Sequence, residues 1–399
     1  MDAFAGSQLR VFGQLLREMA ARLPGDRNLP AWIQTRLAGE KRFGSRDRRA
    51  YRELLYTAVR YWPWLRELEG TSEDAVGHAV VRLASPLPAL ARLKSAVEGP
   101  SLHDHSIAEK AAALGVTASL LPDWVQAECP QAAVPPDLEL LHRRAPLWLR
   151  LQTGDRAAVL NEFAGLGWVW SEHPLFPDAL RVEGDVDVTR TEAFTRGWVE
   201  VQDLGSQWVL HLAGPQPGER WLDACAGAGG KTLQLARMLG ASGEVQAHDV
   251  RADALAELSS RAKRARLTQI TPVAKPRGSF DGVLVDAPCT GSGTWRRAPH
   301  LKGCTRPSDV QAAARVQLRV LADMSAFVRP GGLLVYATCS LARLENEGVI
   351  ERFLVDAPEF VAEPLPEPLG GSVTGLGATL WPSVHDTDGF FAARLRRHG

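Results

Sequence analysis

Cys289 and Cys339 stand fifty positions apart, each just after a short apolar run that ends in polar residues. The first run, Gly282 to Val285, delivers Asp286, Ala287, Pro288 and Cys289; the second, Leu333 to Ala337, delivers Thr338, Cys339 and Ser340. A lone cysteine is most often a small buried hydrophobe. Two thiols at matching strand ends, with the Asp286 carboxylate beside them, argue instead for covalent chemistry, which splits one difficult step into two easier ones. The set suits carbon methylation of a pyrimidine. Cytosine C5 becomes nucleophilic once a thiolate adds to C6, and a carboxylate near N3 and the exocyclic amine stabilises the adduct. A second group must then help to remove the C5 proton and expel the thiol.

A ligand site precedes these cysteines. The run Trp221 to Ala224 breaks into Cys225, Ala226, Gly227, Ala228, Gly229, Gly230 and Lys231 before a helical pattern. Glycines there let the backbone approach a ligand and aim helix N-terminal amides at it. Gly230-Lys-Thr232 matches the end of a P-loop, but the first required glycine of that motif falls on Cys225. Asp249 ends the next apolar run, twenty positions after Gly229, where a carboxylate can accept from both ribose hydroxyls. The pairing suits NAD or S-adenosylmethionine, and a NAD dehydrogenase has no evident use for a second thiol.

The elements that must position these residues follow from periodicity. Residues 7–70 read as helical, with a start at Ser45, Arg46 and Asp47 ahead of Tyr51 to Leu68 and a stop at Gly70, and helical pattern continues through 74–95 and 106–130. This predicts an α-helical domain over 1–133. Val134-Pro-Pro-Asp137 reads as a linker. A small α+β unit over 140–210 follows, with strands at 148–151, 167–171 and 197–201 and a helix at 155–166. From Arg220 onward strands and helices alternate: strands at 220–224, 244–249, 270–274, 281–286 and 332–337, helices at 231–239, 251–266, 308–328 and 343–355. That alternation predicts a doubly wound, mostly parallel sheet over 211–399.

Composition sets outer bounds. With 45% hydrophobic and 23% charged residues in 399, disorder and small disulfide scaffolds are excluded. The formal charge is zero, yet residues 1–66 carry thirteen basic side chains against six acidic ones, an asymmetry that fits a polyanion-facing module. Five scattered cysteines with no paired short spacing suggest neither a disulfide framework nor a metal site. Nothing reads as a signal peptide or membrane span, so a cytoplasmic location, no membrane and a monomer without an obligate protein partner are expected.

Asp223-Ala-Cys-Ala-Gly-Ala-Gly-Gly-Lys231, Asp286-Ala-Pro-Cys-Thr-Gly-Ser-Gly293, Tyr336-Ala-Thr-Cys-Ser340 with Glu345-Asn346-Glu347, and Asp388-Gly-Phe-Phe391 together resemble the RNA cytosine-5 methyltransferases of the Sun/NOP2 family. The likeness is greatest to the bacterial Fmu (Sun, RsmB-like) subgroup, which acts on 16S ribosomal RNA. The resemblance implies a NusB-like helical RNA-binding domain, a small RNA-binding subdomain and a Rossmann-like catalytic domain. It implies that Cys339 is the nucleophile, that Cys289 assists product release, and that Asp286 contacts the cytosine edge and borders the cofactor. It further implies that residues 225–231 and Asp249 hold S-adenosylmethionine. Arg46, Arg48, Arg49 and Arg52, with Arg150 in the subdomain, are the expected RNA contacts, because surface guanidinium groups supply sequence-independent affinity. Tyr61, Trp62 and Trp64 fit a core better than a base-stacking platform.

Some positions depart from that pattern. Lys275 stands where an adenine-contacting Asp is usual, Gln152 where Asn is, and His300 where Asp is common. Lys275 keeps a catalytically weak RNA-binding assembly factor as an alternative. A DNA cytosine-5 methyltransferase, whose nucleophile is the Pro-Cys thiol, is disfavoured by Thr338-Cys339-Ser340.

Overall fold

The computed structural model describes residues 3–70, 75–365 and 369–399. Residues 1, 2 and 71–74, included in the expected helical domain, lie outside them. The chain forms two compact units. Residues 1–144 and 294–306 make one, and 145–293 with 307–399 make the other.

The first unit is helical, beginning with α1 (Ala3–Ala20), α2 (Leu29–Gly39), α3 (Ser45–Arg60) and α4 (Trp62–Leu68). The stretch expected as helix from residue 7 to 70 is thus four helices. Pro24 and Gly25 interrupt it first, since proline has no N–H to donate and fixes its own φ. Leu54, Leu55 and Ala58 of α3 are buried against Phe12, Leu15, Met19, Ile33 and Leu37, the one-sided stripe that an amphipathic helix requires. Tyr61 and Trp64 are buried in a second cluster with Leu83, Leu102 and Leu120. They serve as core, as their spacing suggested. The unit extends past the predicted linker at 134–137, because Leu141 and His142 are buried and the Tyr61 hydroxyl donates to the His142 carbonyl at 3.0 Å.

The second unit holds two sheets. β1 (Leu147–Leu151), β2 (Trp170–His173), β3 (Phe176–Val182) and β4 (Val199–Val201) form an antiparallel sheet in the order β2-β3-β1-β4. The helix Arg156–Gly165 packs Val159 and Phe163 against Leu149, Leu151 and Leu180. β3 was not anticipated. Its Phe-Pro-Asp start hides the alternation that the buried Leu180 and Val182 complete.

Among the described residues, nine strands make the larger sheet: β5 (Arg220–Asp223), β6 (Glu244–His248), β7 (Ile270–Val273), β8 (Phe280–Asp286), β9 (Val328–Thr338), β10 (Phe360–Ala362), β11 (Ser372–Thr374), β12 (Gly377–Leu380) and β13 (Phe390–Arg397). The order is β11-β12-β13-β9-β8-β5-β6-β7, with β10 on β13. Strands β5 to β9 pair in parallel as the alternation predicted. The C-terminal strands, absent from the sequence reading, add an antiparallel edge. Among the described residues no helix is long and apolar enough to cross a membrane.

Gly282 in β8 shows how tightly this sheet is covered. A Cβ there would lie 2.2 Å from Cε2 of the buried Trp221 indole. Gly282→Ala must displace that ring, and we expect a loss of about 1–3 kcal/mol, the usual cost of overpacking, read as a lower midpoint in urea unfolding.

Candidate active site

Parallel pairing of β8 with β9 sets Asp286 level with Ala337. The Ala287 N–H then donates to the Ala337 carbonyl at 2.9 Å, and the Gly293 N–H to the Cys339 carbonyl at 2.9 Å. The loop after each strand therefore starts from one level and leaves on one side. Cys289 Sγ and Cys339 Sγ meet at 3.3 Å. The hydrogen bond with Cys339, followed by burial, pushes the Cys289 thiol well above its ordinary value, so Cys289 rests as a thiol.

Two further ties close this pair of loops. The Leu341 N–H donates to Ser292 Oγ at 2.8 Å, and Ser292 Oγ lies 3.1 Å from Ser340 Oγ. The Gly389 N–H donates to the Gly293 carbonyl at 2.9 Å, and a Cβ at Gly293 would lie 2.1 Å from the Gly389 carbonyl oxygen. Only a glycine lets those backbones approach so closely, which gives Asp388-Gly-Phe-Phe391 a structural reason.

The glycine loop is built at the end of β5. Gly227 and Gly229 have φ values of 53° and 92°, the left-handed region where glycine is favoured. A Cβ at Gly229 would also sit 2.8 Å from Leu258 Cγ. The loop turns into the helix Gly230–Leu239, whose free N–H groups and dipole suit a ligand at its start. Asp249 lies beside it, taking the Gly227 N–H at 2.8 Å. Burial alone would raise its carboxyl, but hydrogen bonds from the Arg251 side chain and backbone and from Gly227 hold it below the usual range. The loop brings together Cys225 through Lys231 and Asp249 as expected. Burial, then the Asp223 carboxyl, pushes the Cys225 thiol up.

Lys231 has a more specific placement than the sequence implied. Its ammonium group is 2.9 Å from Asp286 Oδ2 and 5.0 Å from the centre of the Phe390 ring. The lysine of the glycine loop thus holds the carboxylate at the end of β8, three positions before Cys289. Lys275 is exposed in the loop after β7.

The structure corrects one expected RNA contact. Arg150 on β1 is buried, donating from Nη1 to the Gly230 carbonyl at 2.9 Å and from Nε to Gln152 Oε1 at 3.2 Å, with Gln202 as a further partner. Gln152 Nε2 in turn donates to the Leu233 carbonyl at 3.0 Å. Arg150 and Gln152 therefore brace the first turn of the helix that follows the glycine loop. Their partners lie about eighty positions away, beyond the reach of local pattern. Arg46, Arg49 and Arg52 are exposed on α3, whereas Arg48 is half-buried and donates to the Leu37 carbonyl at 3.2 Å. His300 is buried in the helical unit.

The order of strands, the glycine loop and the acidic strand end make the larger sheet a Rossmann-like α/β domain. Residues 209–396 match the family model described as 16S rRNA methyltransferase RsmB/F. A probable ribosomal RNA small subunit methyltransferase B from Synechocystis is 35% identical over 61% of this chain and 57% of its own length. The chain spans about three fifths of the length of the curated relatives it matches. The crystal structure of PH0851 has the same fold, with a TM-score of 0.73 and 22% identity over 93% of this chain and 95% of its own. A methyltransferase homologue from Pyrococcus horikoshii has a TM-score of 0.60 and 26% identity over 69% of this chain and 93% of its own.

Asp223, at the end of β5, gives this site a pH signature. Burial raises its carboxyl from 3.8 to about 7, opposed in part by the Thr232 hydroxyl, which donates to it at 2.7 Å. An acid whose folded value is raised contributes its stability in full below the unfolded value and loses it as pH rises through the folded one. Between about pH 4 and pH 7 the wild type should therefore lose a few kcal/mol relative to Asp223→Asn. Urea unfolding of both proteins across that range checks this; parallel pH profiles would contradict it.

Proposed function

We propose that the chain methylates cytosine C5 in RNA, with 16S ribosomal RNA as substrate, S-adenosylmethionine as methyl donor and a covalent bond between Cys339 and C6. The observation that carries this reading is the 3.3 Å approach of two thiols at adjacent parallel strand ends; the carboxylate that ends the first of those strands is held by the lysine of the glycine loop.

The residues present fit that cofactor. The left-handed glycines at 227 and 229 open the backbone at the start of a helix, and Asp249 offers a carboxylate for ribose hydroxyls. When bound, S-adenosylmethionine supplies an electrophilic methyl group. The chain's own residues do the rest. The target base must leave its stack to be reached. Asp286, oriented by Lys231, takes the cytosine edge, and Cys339 adds to C6 with its sulfur electron pair, making C5 the nucleophile. After methylation C5 must lose its proton, and the returning electron pair breaks the bond from C6 to Cys339. Cys289 is the group placed to assist. Its sulfur lies 3.3 Å from that of Cys339. Arg46, Arg49 and Arg52 present an exposed basic face on α3, fitting a NusB-like module that holds RNA phosphates.

Cys339→Ala should abolish methylation of unmodified 16S ribosomal RNA, and Cys289→Ala should slow turnover while a protein–RNA adduct accumulates on denaturing gels. Near-normal activity in Cys339→Ala would show the roles to be wrong. Calorimetry with S-adenosylmethionine should give a dissociation constant on the order of micromolar; no binding at millimolar cofactor would favour the non-catalytic RNA-binding factor, the reading that Lys275 keeps in play.

A further inference from the structure

Glu345 follows Cys339 by six positions and is fully buried. Its side chain takes the Thr290 N–H at 2.9 Å, the Thr290 hydroxyl at 2.5 Å and the Gln317 amide at 3.0 Å, and the Ser340 hydroxyl donates to it as well. Thr290 is the residue after Cys289, and Ser340 is the residue after Cys339. The residues before the two cysteines are tied into the same cluster. Gln317 also donates to the Pro288 carbonyl at 3.0 Å, and the Thr338 hydroxyl donates to Asn346 Oδ1 at 2.6 Å. Asn346 returns a bond to the Ser340 carbonyl at 2.9 Å. Both flanks of both cysteines thus converge on Glu345, Asn346 and Gln317.

We propose that Glu345 is the positioning residue that fixes the distance between the two active-site thiols. Four donors from three elements converge on one acceptor side chain, and a carboxylate is the side chain with two oxygens to share among them. An amide at the same place turns one oxygen into a donor that faces other donors, so at least one loop must move away. Glu345 acts on Cys289 only through its charge, which raises that thiol, and it positions the two loops through Thr290 and Ser340. Its consequence for methyl transfer rests on the proposed activity; the spacing itself does not.

The spacing can be read without RNA by titrating the full chain with 4,4′-dithiodipyridine. One thiolate attacks the reagent and releases one thiopyridone. The second thiolate then displaces the other from the mixed disulfide, so two thiols are oxidised as one reagent disulfide is reduced. The second step is intramolecular, and its rate reports how closely the sulfurs are held. In the wild type it should outrun detection of the mixed disulfide, with peptide mapping placing the product at Cys289 and Cys339. Glu345→Gln should slow it by about ten-fold or more, leaving the mixed disulfide visible by intact mass, while the exposed Glu351→Gln control closes at the wild-type rate. Closure of Glu345→Gln at the wild-type rate overturns the proposal. Should circular dichroism show Glu345→Gln unfolded, Ser340→Ala carries the test, with a roughly three-fold slowing expected and an unchanged rate overturning it. Loss of the methylation reading alone would leave this thiol measurement intact.

Discussion

The site depends on the register between β8 and β9. Parallel strands side by side end on the same edge, and alignment of Asp286 with Ala337 leaves each chain only a short loop in which to place its cysteine. A slip by one residue would turn every side chain of a strand to the other face and separate the thiols. That register is held by burial on both faces. Val283 and Val285 of β8 and Leu334 and Tyr336 of β9 are buried in one cluster, while Leu284, Leu333 and Val335 belong to another. Chemistry at the strand ends is thereby set by ordinary apolar packing several residues away.

A second layer of constraint comes from buried polar groups bonded across elements. Arg150, Gln152 and Gln202 reach from the small sheet to the helix after the glycine loop, so β1 and β4 act as a brace for the cofactor side. The Lys231–Asp286 pair ties that side to the end of β8, the strand that leads to Cys289. Glu200, buried between Arg261 and Arg264 at 2.7 Å from each, pins the small sheet to the helix Ala252–Arg264 that follows Asp249. A site assembled from such cross-element bonds is rigid at rest, which suits a reaction whose rate depends on preorganised distances.

Much of this was legible in the sequence because it was local or periodic. The strands β5 to β9 show as short apolar runs, Gly227 and Gly229 mark a turn, and the paired Cys settings foretell two matching strand ends. What was hidden was non-local. Arg150 looks like a surface cation until Gly230 and Gln202 are seen beside it. Glu345 stands out as part of a signature, but its partners Thr290 and Gln317 precede it by tens of residues. The antiparallel edge escaped notice because Phe390–Arg397 is a buried strand whose short run Phe-Phe-Ala-Ala lacks alternation. In the helical unit the apolar periodicity runs on through the breaks near Pro24 and Gly39, which hides where one helix ends and the next begins.

The central claim is that the sulfur of Cys339, with Cys289 poised beside it, forms the bond to the base. The most direct measurement is mass spectrometry of the complex formed when the wild-type chain and S-adenosylmethionine meet 16S ribosomal RNA carrying 5-fluorocytidine, whose C5 fluorine blocks the final elimination and preserves the adduct. The account predicts a nucleotide-bearing peptide that contains Cys339. A cross-linked peptide containing Cys289 in its place, or methylation of ordinary cytidine without any adduct to the fluorinated base, would contradict it.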